Sequence, residues 1–271
     1  MTASKLIRLA SIAILIAIFV ASLLAGELSP YSYSAQLREA PNAPPSTKHL
    51  LGTDPLGRDL FARLIYGSRV SLLLAPAAAL LATLIAGVFG AFAGLYGGWP
   101  QRIILASADL SLALPLLFVL LALRAFLPLD ISPALSITCT FLLLGLLGWS
   151  SSLRVVWASA RTFRNSDFLL MARATGCGPL RTIFKHVLPN LRPVLLAQFW
   201  ISVPVFILAE ATLSMLGLGV MEPLPSWGNL LRGLEDLPAV SANPWRLAPL
   251  FTVCLVVICF QMILPVQEEV A

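Results

Sequence analysis

Two carboxylates stand inside long apolar stretches of this sequence, and they are its first candidates for chemistry. Asp109 lies within residues 103–123 and Glu210 lies within residues 193–218. An acidic side chain is costly in a hydrocarbon environment, so it usually faces a cavity, a partner or a hydrogen-bond donor. We therefore expect Asp109 and Glu210 either to line an aqueous path or to form hydrogen bonds between helices. For Asp109, near the start of its stretch, we favour the second alternative.

The other chemistry-bearing residues do not converge on a site. The two histidines, His49 and His186, are far apart in the chain, and the four cysteines include no C-x-x-C pair. We therefore expect no metal site, no redox pair and no membrane-embedded enzyme. The sequence also lacks the Gly-x-x-x-x-Gly-Lys-Ser/Thr loop that binds nucleotide phosphates, so we expect no ATP binding by this chain and no cofactor. The net charge of +5 does not indicate nucleic acid, because the basic residues form no continuous stripe.

Apolar helices must position these residues. Hydrophobic residues make up 58% of the 271 residues and charged residues only 11%, about half the charged fraction of an average soluble domain. Crossing a bilayer as a helix takes about 20 apolar residues. Six stretches qualify: 9–26, 70–96, 103–123, 134–153, 193–218 and 247–266. We predict an all-α membrane protein with six transmembrane helices, in which Gly90 and Gly94 have the spacing for a close helix contact.

A compact basic segment determines the predicted orientation. Residues 154–192 contain seven basic residues and one acidic residue, Asp167. Positively charged loops stay on the cytoplasmic side, so we place this segment in the cytoplasm. An even number of spans then places both termini there, which favours an anchor over a cleaved signal peptide for residues 9–26. We divide the chain into residues 1–48, with the first helix and the start of an outer loop, and residues 49–271, with the five-helix core.

The basic segment also has a predicted structure. Ser166 and Asp167 are typical of a helix N-terminus, and the residues after them continue the helix to a break at Gly176. A second short helix over 180–187 follows, and a turn at Leu188-Pro189-Asn190 leads into the fifth span. Two such helices at the membrane face form a knob that fits a groove of a partner. The alternative is an amphipathic hairpin that lies on anionic lipid.

Four stretches resemble one known family. Asp167-Phe-Leu-Leu-Met-Ala-Arg-Ala-Thr-Gly176, with Phe184-Lys-His-Val-Leu-Pro-Asn190, is similar to the "EAA" loop of binding-protein-dependent ABC importer permeases. Residues 49–71, 109–115 and 209–229 resemble the C-type permease of its dipeptide, oligopeptide and nickel branch, in the same order. The glutamate and first alanine that name the motif are Leu170 and Met171 here. We therefore expect docking to rest on apolar contact rather than on that carboxylate.

The resemblance implies a type I ABC importer permease fold in a bacterial or archaeal cytoplasmic membrane. It implies three kinds of partner: a second homologous permease subunit, two ATP-binding subunits at the cytoplasmic loop, and an extracytoplasmic substrate-binding protein. It also implies a coupling helix that seats on the ATPase. Its coupling residues are Asp167, Phe168, Leu169, Leu170, Met171, Ala172, Arg173, Gly176, Leu188 and Pro189. Asp109 and Glu210 become candidates for the translocation path or its gate.

We expect this chain to be a non-catalytic subunit that forms half of a translocation path for dipeptides and oligopeptides. One alternative is the same role for another small solute, such as a nickel chelate or glutathione. The other is a stand-alone proton-coupled transporter with Asp109 and Glu210 as its relay. Inverted repeats would support that last alternative, but the sequence shows no such internal symmetry.

Overall fold

The computed structural model describes residues 3–126 and 132–263, without the side chains of Ala3, Arg124, Ala125 and Arg173. Within these ranges the regular structure is helical, apart from one isolated bridge between Thr53 and Asp59. The α-helices are α1 (Ala3–Leu23), α2 (Ala25–Leu28), α3 (Leu60–Tyr96), α4 (Gly98–Ala113), α5 (Leu116–Ala125), α6 (Pro133–Leu147), α7 (Trp149–Thr162), α8 (Asp167–Ala174), α9 (Pro179–Thr182), α10 (Leu188–Asn190), α11 (Arg192–Met215), α12 (Trp227–Arg232), α13 (Leu237–Ala242) and α14 (Ala248–Ile263). Two 3₁₀-helices (Phe163–Asn165 and Pro244–Leu247) and a π-helix (Ile183–Val187) complete the set. The predicted all-α class is confirmed.

Five helical stretches in the described part of the chain are long and apolar enough to cross a bilayer. They are Ser4–Leu23, Leu60–Tyr96, Pro133–Asn165, Arg192–Met215 and Pro244–Ile263. A sixth span results if α4 and the adjoining Leu116–Leu123 are counted together. This agrees with the six predicted stretches. The predicted end of the last stretch, residue 266, lies outside the described residues.

A sharp bend separates α4 from α5. The two helices meet at 84°, and Leu114 between them has an extended backbone with φ −90° and ψ 124°. A residue before proline favours this conformation, and Pro115 supplies no N–H to continue the helix. Pro76 and Pro204, in contrast, remain inside α3 and α11. The predicted interruption at Pro115 is therefore the strongest break within these spans.

The helix that contains α7 runs further than the apolar pattern predicts. It continues through Arg154 and Arg161 to the 3₁₀-turn at Asn165, so the irregular part of the basic segment begins only at Ser166. The reason is the spacing of its residues along the helix. The buried side chains of α7 include Leu153, Val156 and Ala160, whereas both arginines are exposed. A one-sided apolar face is enough to hold a helix in place.

The chain forms two compact units. The first unit comprises Met1–Ala75, Arg124–Thr140 and Pro204–Ala271, and the second unit comprises Pro76–Leu123 and Phe141–Val203. In the first unit, α14 packs against both α1 and α12. In the second unit, α4 packs against α7. These two units do not test the predicted division of the chain into residues 1–48 and 49–271, which stays a prediction.

Two glycines of α3 allow α7 to approach closely within the second unit. A Cβ atom placed on Gly90 would lie 2.8 Å from Val156 Cγ1. One placed on Gly94 would lie 2.7 Å from Ala160 Cβ and 2.9 Å from the backbone nitrogen of Arg161. All three distances are too short for a real side chain, so only glycine fits at either position. The close helix contact predicted from the Gly90–Gly94 spacing is confirmed.

Candidate coupling site

The predicted coupling helix is α8, and it begins and ends where the sequence indicates. The backbone carbonyl of Ser166 accepts a hydrogen bond from the N–H of Leu170 at 3.0 Å. The hydroxyl of Ser166 donates to the carbonyl of Phe163 at 2.7 Å instead of capping α8. After the last turn, Gly176 takes a positive φ of 75°, and the N–H of Cys177 reaches back to the carbonyl of Ala172 at 3.0 Å. This is the glycine-terminated ending of many helices.

One face of α8 anchors the helix to the second unit. Leu169 and Ala172, three residues apart and therefore on the same side, are both buried. Leu169 belongs to a buried apolar cluster with α3, α7 and the residues after α9. The other buried members are Ala91, Leu95, Val156, Ala160, Ile183, Val187 and Leu191. Leu169 and Ala172 therefore position the helix, and their side chains have little surface to offer to a partner.

The opposite face of α8 is exposed and apolar. Phe168, Leu170 and Met171 are exposed, and Met171 is the most accessible of the three at 70%. Leu180 and Phe184, from the segment that follows, are also exposed. Large apolar side chains in such a group indicate a contact surface. We call Phe168, Leu170 and Met171 the outward patch.

The remaining predicted coupling residues differ in their surroundings. Asp167 and Pro189 are exposed, and Leu188 is partly buried. Leu188 packs against the apolar cluster. The region around Gly176 is open, with no atom within 4 Å of an added Cβ, so its backbone conformation alone demands glycine. The side chain of Arg173 lies outside the described residues.

The return into α11 is helical where a turn was predicted. Residues 183–187 form a π-helix, and α10 follows directly over Leu188–Asn190. Pro189 lies in the first turn of α10, where its missing N–H breaks no helical hydrogen bond. The turn expected at Leu188–Asn190 is therefore wrong. Leu191 alone separates α10 from α11.

Asp109 forms an ion pair between two helices of the second unit. The Nε of Arg154 on α7 donates to Asp109 Oδ1 on α4 at 3.1 Å, and its Nη2 donates to the same oxygen. About half of each side chain is exposed, 49% for Asp109 and 56% for Arg154. The pair thus forms the hydrogen bond between helices that we predicted for Asp109. One side of the pair is exposed.

Glu210 is fully buried in the first unit and holds two serines. Its Oε1 accepts hydrogen bonds from the hydroxyls of Ser214 at 2.7 Å and Ser226 at 2.8 Å. Ser226 also caps α12, because its side chain accepts from the N–H of Asn229. A Cβ atom on Gly228 would lie 2.5 Å from Ser214 Cβ, so the start of α12 fits tightly against α11. Residues 209–219 and 225–229, two of the stretches that resemble the permease family, therefore meet at the Glu210 carboxylate.

We expect Glu210→Ala and Glu210→Gln to differ in stability. The alanine variant leaves two buried hydroxyls without their acceptor and opens a cavity, so it should lose roughly 2–4 kcal/mol of unfolding free energy. The glutamine amide oxygen can accept from both serines, so this variant should lose less than about 1 kcal/mol. Thermal or denaturant unfolding of the purified chain in detergent measures both. Equal losses would contradict a hydrogen-bonding role for Glu210.

The segment around residues 49–59 packs on the chain itself. His49 Nδ1 lies 2.8 Å from Asp59 Oδ2, and Asp59 Oδ1 accepts the N–H of Ala62 at the start of α3. Gly52 and Gly57 both have a positive φ, and an added Cβ on either would collide with a backbone carbonyl. These contacts hold the segment against the start of α3.

Sequence reasoning missed several residues of these sites. Arg154 was counted only as a charge, although an arginine following a span is a natural partner for an acid in a neighbouring one. Ser214 stands four residues after Glu210, a spacing that already placed the two side chains on one helix face. Ser226 carried no comparable signal. The residues that the structure describes contain no group of three or more histidine, cysteine or acidic side chains arranged for a metal ion.

Comparison with known proteins identifies the family. Residues 86–266 match the family model described as "Binding-protein-dependent transport system inner membrane component". The chain belongs to this permease family. The permease role predicted from the sequence is thereby confirmed, and members of the family are the non-catalytic membrane components of ABC transporters.

Curated relatives cover nearly the whole permease. It is 33% identical over 264 residues to the oligopeptide transport system permease protein OppC of Bacillus subtilis (strain 168), covering 96% of this chain and 83% of the relative. It is 34% identical over 259 residues to the dipeptide transport system permease protein DppC of the same strain, covering 95% of this chain and 78% of the relative. It is 36% identical over 251 residues to OppC of Mycobacterium tuberculosis (strain CDC 1551 / Oshkosh), covering 92% and 84%. The permease is thus a multi-pass bacterial inner-membrane protein that works in a complex with ATPase and substrate-binding components.

Proposed function

We propose that the permease imports dipeptides or oligopeptides. The observation that carries this proposal is its similarity, over more than nine-tenths of its length, to permeases named for oligopeptide and dipeptide transport. The four resembling stretches of the sequence support the same branch of the family.

The permease has both termini in the cytoplasm, together with α8 and the outward patch. The seven basic residues within 154–192 support this orientation, because positively charged loops stay on the cytoplasmic side. The complex contains a second homologous permease, two ATP-binding subunits and an extracytoplasmic substrate-binding protein. The ATP-binding subunits bind at α8.

The outward patch is the surface that binds the ATPase. Phe168, Leu170 and Met171 insert into a groove of the ATPase, while the buried Leu169 holds α8 to the apolar cluster. Since that cluster also contains side chains of α3 and α7, a displacement of α8 reaches both helices. Close packing transmits such displacements because protein interiors are hard to compress. The nucleotide-driven motion of the ATPase thereby changes which side of the membrane the path faces.

The Asp109–Arg154 pair faces the translocation path. A half-exposed ion pair is costly when its open side faces lipid, and it is stable when that side faces water. This supports water on the open side of the pair. Glu210 has no exposed surface, so its place in a gate is that of a positioning residue. It holds the start of α12 against α11 through Ser214 and Ser226.

Reconstituted transport tests the function. The permease is co-expressed with its partner subunits, placed in proteoliposomes and supplied with the substrate-binding component, and uptake of a radiolabelled dipeptide is measured. ATP-dependent uptake that survives collapse of the proton gradient is the expected result. Uptake that continues without ATP but stops with the proton gradient would overturn the proposal in favour of a secondary transporter.

We expect Gly176→Val to weaken coupling, with Gly176→Asn as its control. Gly176 has a φ of 75°, and a β-branched residue there costs about 1–2 kcal/mol, whereas asparagine tolerates this region. The strain should loosen the end of α8, so the valine variant should transport several-fold fewer peptides per ATP hydrolysed. The ratio of uptake to ATP hydrolysis in proteoliposomes measures this. Equal ratios in the two variants would show that the ending of α8 is irrelevant to coupling.

A further inference from the structure

A cavity in the first unit carries an excess of positive charge. It encloses about 240 Å³ between two segments of the chain, residues 54–63 and 222–249. Its charged lining residues are Asp54, Arg58, Arg63, Glu222 and Arg246. Three cations and two anions leave one positive charge without a counterpart in the lining.

Two of the three arginines are paired with the carboxylates of the lining. Arg58 binds Asp54 and Glu222, and Arg63 binds Glu222. Arg58 Nε lies 2.6 Å from Asp54 Oδ2, and its Nη1 lies 2.7 Å from Glu222 Oε2. Arg63 Nη2 lies 2.8 Å from Glu222 Oε1, and its Nη1 lies 3.2 Å from Glu222 Oε2. This network ties the start of α3 to the segment before α12. It leaves no acidic group of the lining for the third arginine.

Arg246 is that third arginine, and it is buried without an acidic partner among the residues that the structure describes. It is only 7% exposed. Among the described residues its side chain forms no ion pair, and its Nη1 has no hydrogen-bond acceptor. A buried unpaired charge is costly, and arginine cannot relieve that cost by losing its proton. An anion from outside the described residues would pair with the Arg246 guanidinium and remove this cost.

We propose that the cavity receives a carboxylate side chain of the substrate-binding component, which pairs with Arg246. This inference rests on the proposed function, because it specifies where that component contacts the permease. A guanidinium binds a carboxylate through two parallel hydrogen bonds, and the volume suits one acidic side chain. The exposed Leu56 also lines the cavity, where it helps to exclude water from a docked side chain.

The lining favours a docking side chain over a transported peptide. Leu60, Leu230 and Pro249 line the cavity and are buried, so packed apolar side chains close that part of its wall. The cavity therefore holds a group that enters and leaves by the same opening. A transported peptide needs a route that continues through the membrane.

ATPase stimulation in nanodiscs tests the proposal. The complete transporter is assembled with wild-type permease, Arg246→Met, Arg246→Lys or Lys48→Met, and ATP hydrolysis is measured against the concentration of purified, peptide-loaded substrate-binding component. Arg246→Met should raise the half-maximal concentration about tenfold or more. Arg246→Lys should raise it less. Lys48→Met should leave it unchanged, because Lys48 is exposed and does not line the cavity.

A charge exchange adds a second test. Lysine substitutions at surface acids of the substrate-binding component should include one that restores stimulation of an Arg246→Glu transporter. Superimposable curves for Arg246→Met and wild type would overturn the proposal. So would Asp130→Asn reproducing Arg246→Met, because the carboxylate would then belong to this chain; Asp130 lies outside the described residues.

Two further results separate the remaining explanations. If only the wild type distinguishes free-acid peptides from C-terminally amidated ones, the carboxylate is the substrate's and the docking proposal is wrong. A wild-type transporter that hydrolyses ATP without any response to the substrate-binding component overturns the proposed function, and the docking site with it.

Discussion

Replacing Met171 with aspartate is expected to reduce co-purification of the ATPase with the permease by about tenfold or more. Met171 is 70% exposed on α8, next to Leu170 in the outward patch. On docking, an aspartate there would have to leave water without a counter-charge, which costs several kcal/mol. The side chain is exposed, so the folded permease itself should be unaffected. The measurement is the amount of ATPase recovered per permease from membranes that co-express both.

Leu237→Asp is the matched control for Met171→Asp. Leu237 is 71% exposed but lies on α13, in the segment predicted on the outer side. The same change of charge there should leave ATPase recovery at the wild-type level. Equal recovery from Met171→Asp and wild type would remove α8 from the ATPase interface. Equal loss in both variants would indicate a general defect of membrane assembly instead.

Replacing Gly94 with leucine is expected to destabilise the second unit by roughly 3 kcal/mol or more. The first atom of the new side chain would already lie 2.7 Å from Ala160 Cβ and 2.9 Å from the backbone nitrogen of Arg161. A flexible side chain can move aside, but a backbone nitrogen moves only if α7 moves. Because Ala160 belongs to the cluster that anchors α8, the outward patch should be displaced as well.

Gly26→Leu is the control for Gly94→Leu. Gly26 is exposed in α2, and the nearest atom to its added Cβ is the Tyr66 hydroxyl at an ordinary 3.6 Å. Folded yield after detergent extraction, measured by size-exclusion chromatography, should fall sharply for Gly94→Leu and remain near wild type for Gly26→Leu. If Gly94→Leu remains fully folded, the contact between α3 and α7 is looser than the glycine distances indicate.

Local patterns predicted much of the structure of α8. Helix start and stop signals depend on residues close together in the chain, so Asp167 and Gly176 mark the ends of α8 well. The spacing of Leu169 and Ala172 also contained the information about which face is buried. The turn expected at Leu188–Asn190 failed because proline is compatible with the first turn of a helix as well as with a turn.

Long-range partners were beyond sequence reasoning. Ser226 is 16 residues from Glu210 and Arg154 is 45 residues from Asp109, and neither distance has a periodic signature. The surplus charge at Arg246 is also invisible in the sequence, because it depends on which arginines reach Asp54 and Glu222. Such pairings follow from how helices pack, and packing is decided by the whole chain.

The ion pair between α4 and α7 has a consequence for how the permease is made. Asp109 leaves the ribosome 45 residues before Arg154, and at about 5–20 residues per second this interval lasts about 2–9 seconds. Throughout it, α4 carries a carboxylate whose cation has not yet been synthesised. A lone aspartate at the centre of a helix opposes membrane insertion by about 2.5–3.5 kcal/mol, and the cost is smaller for Asp109, which lies near the start of its predicted span. We expect the integration of α4 to become more favourable once Arg154 has emerged and can pair with Asp109.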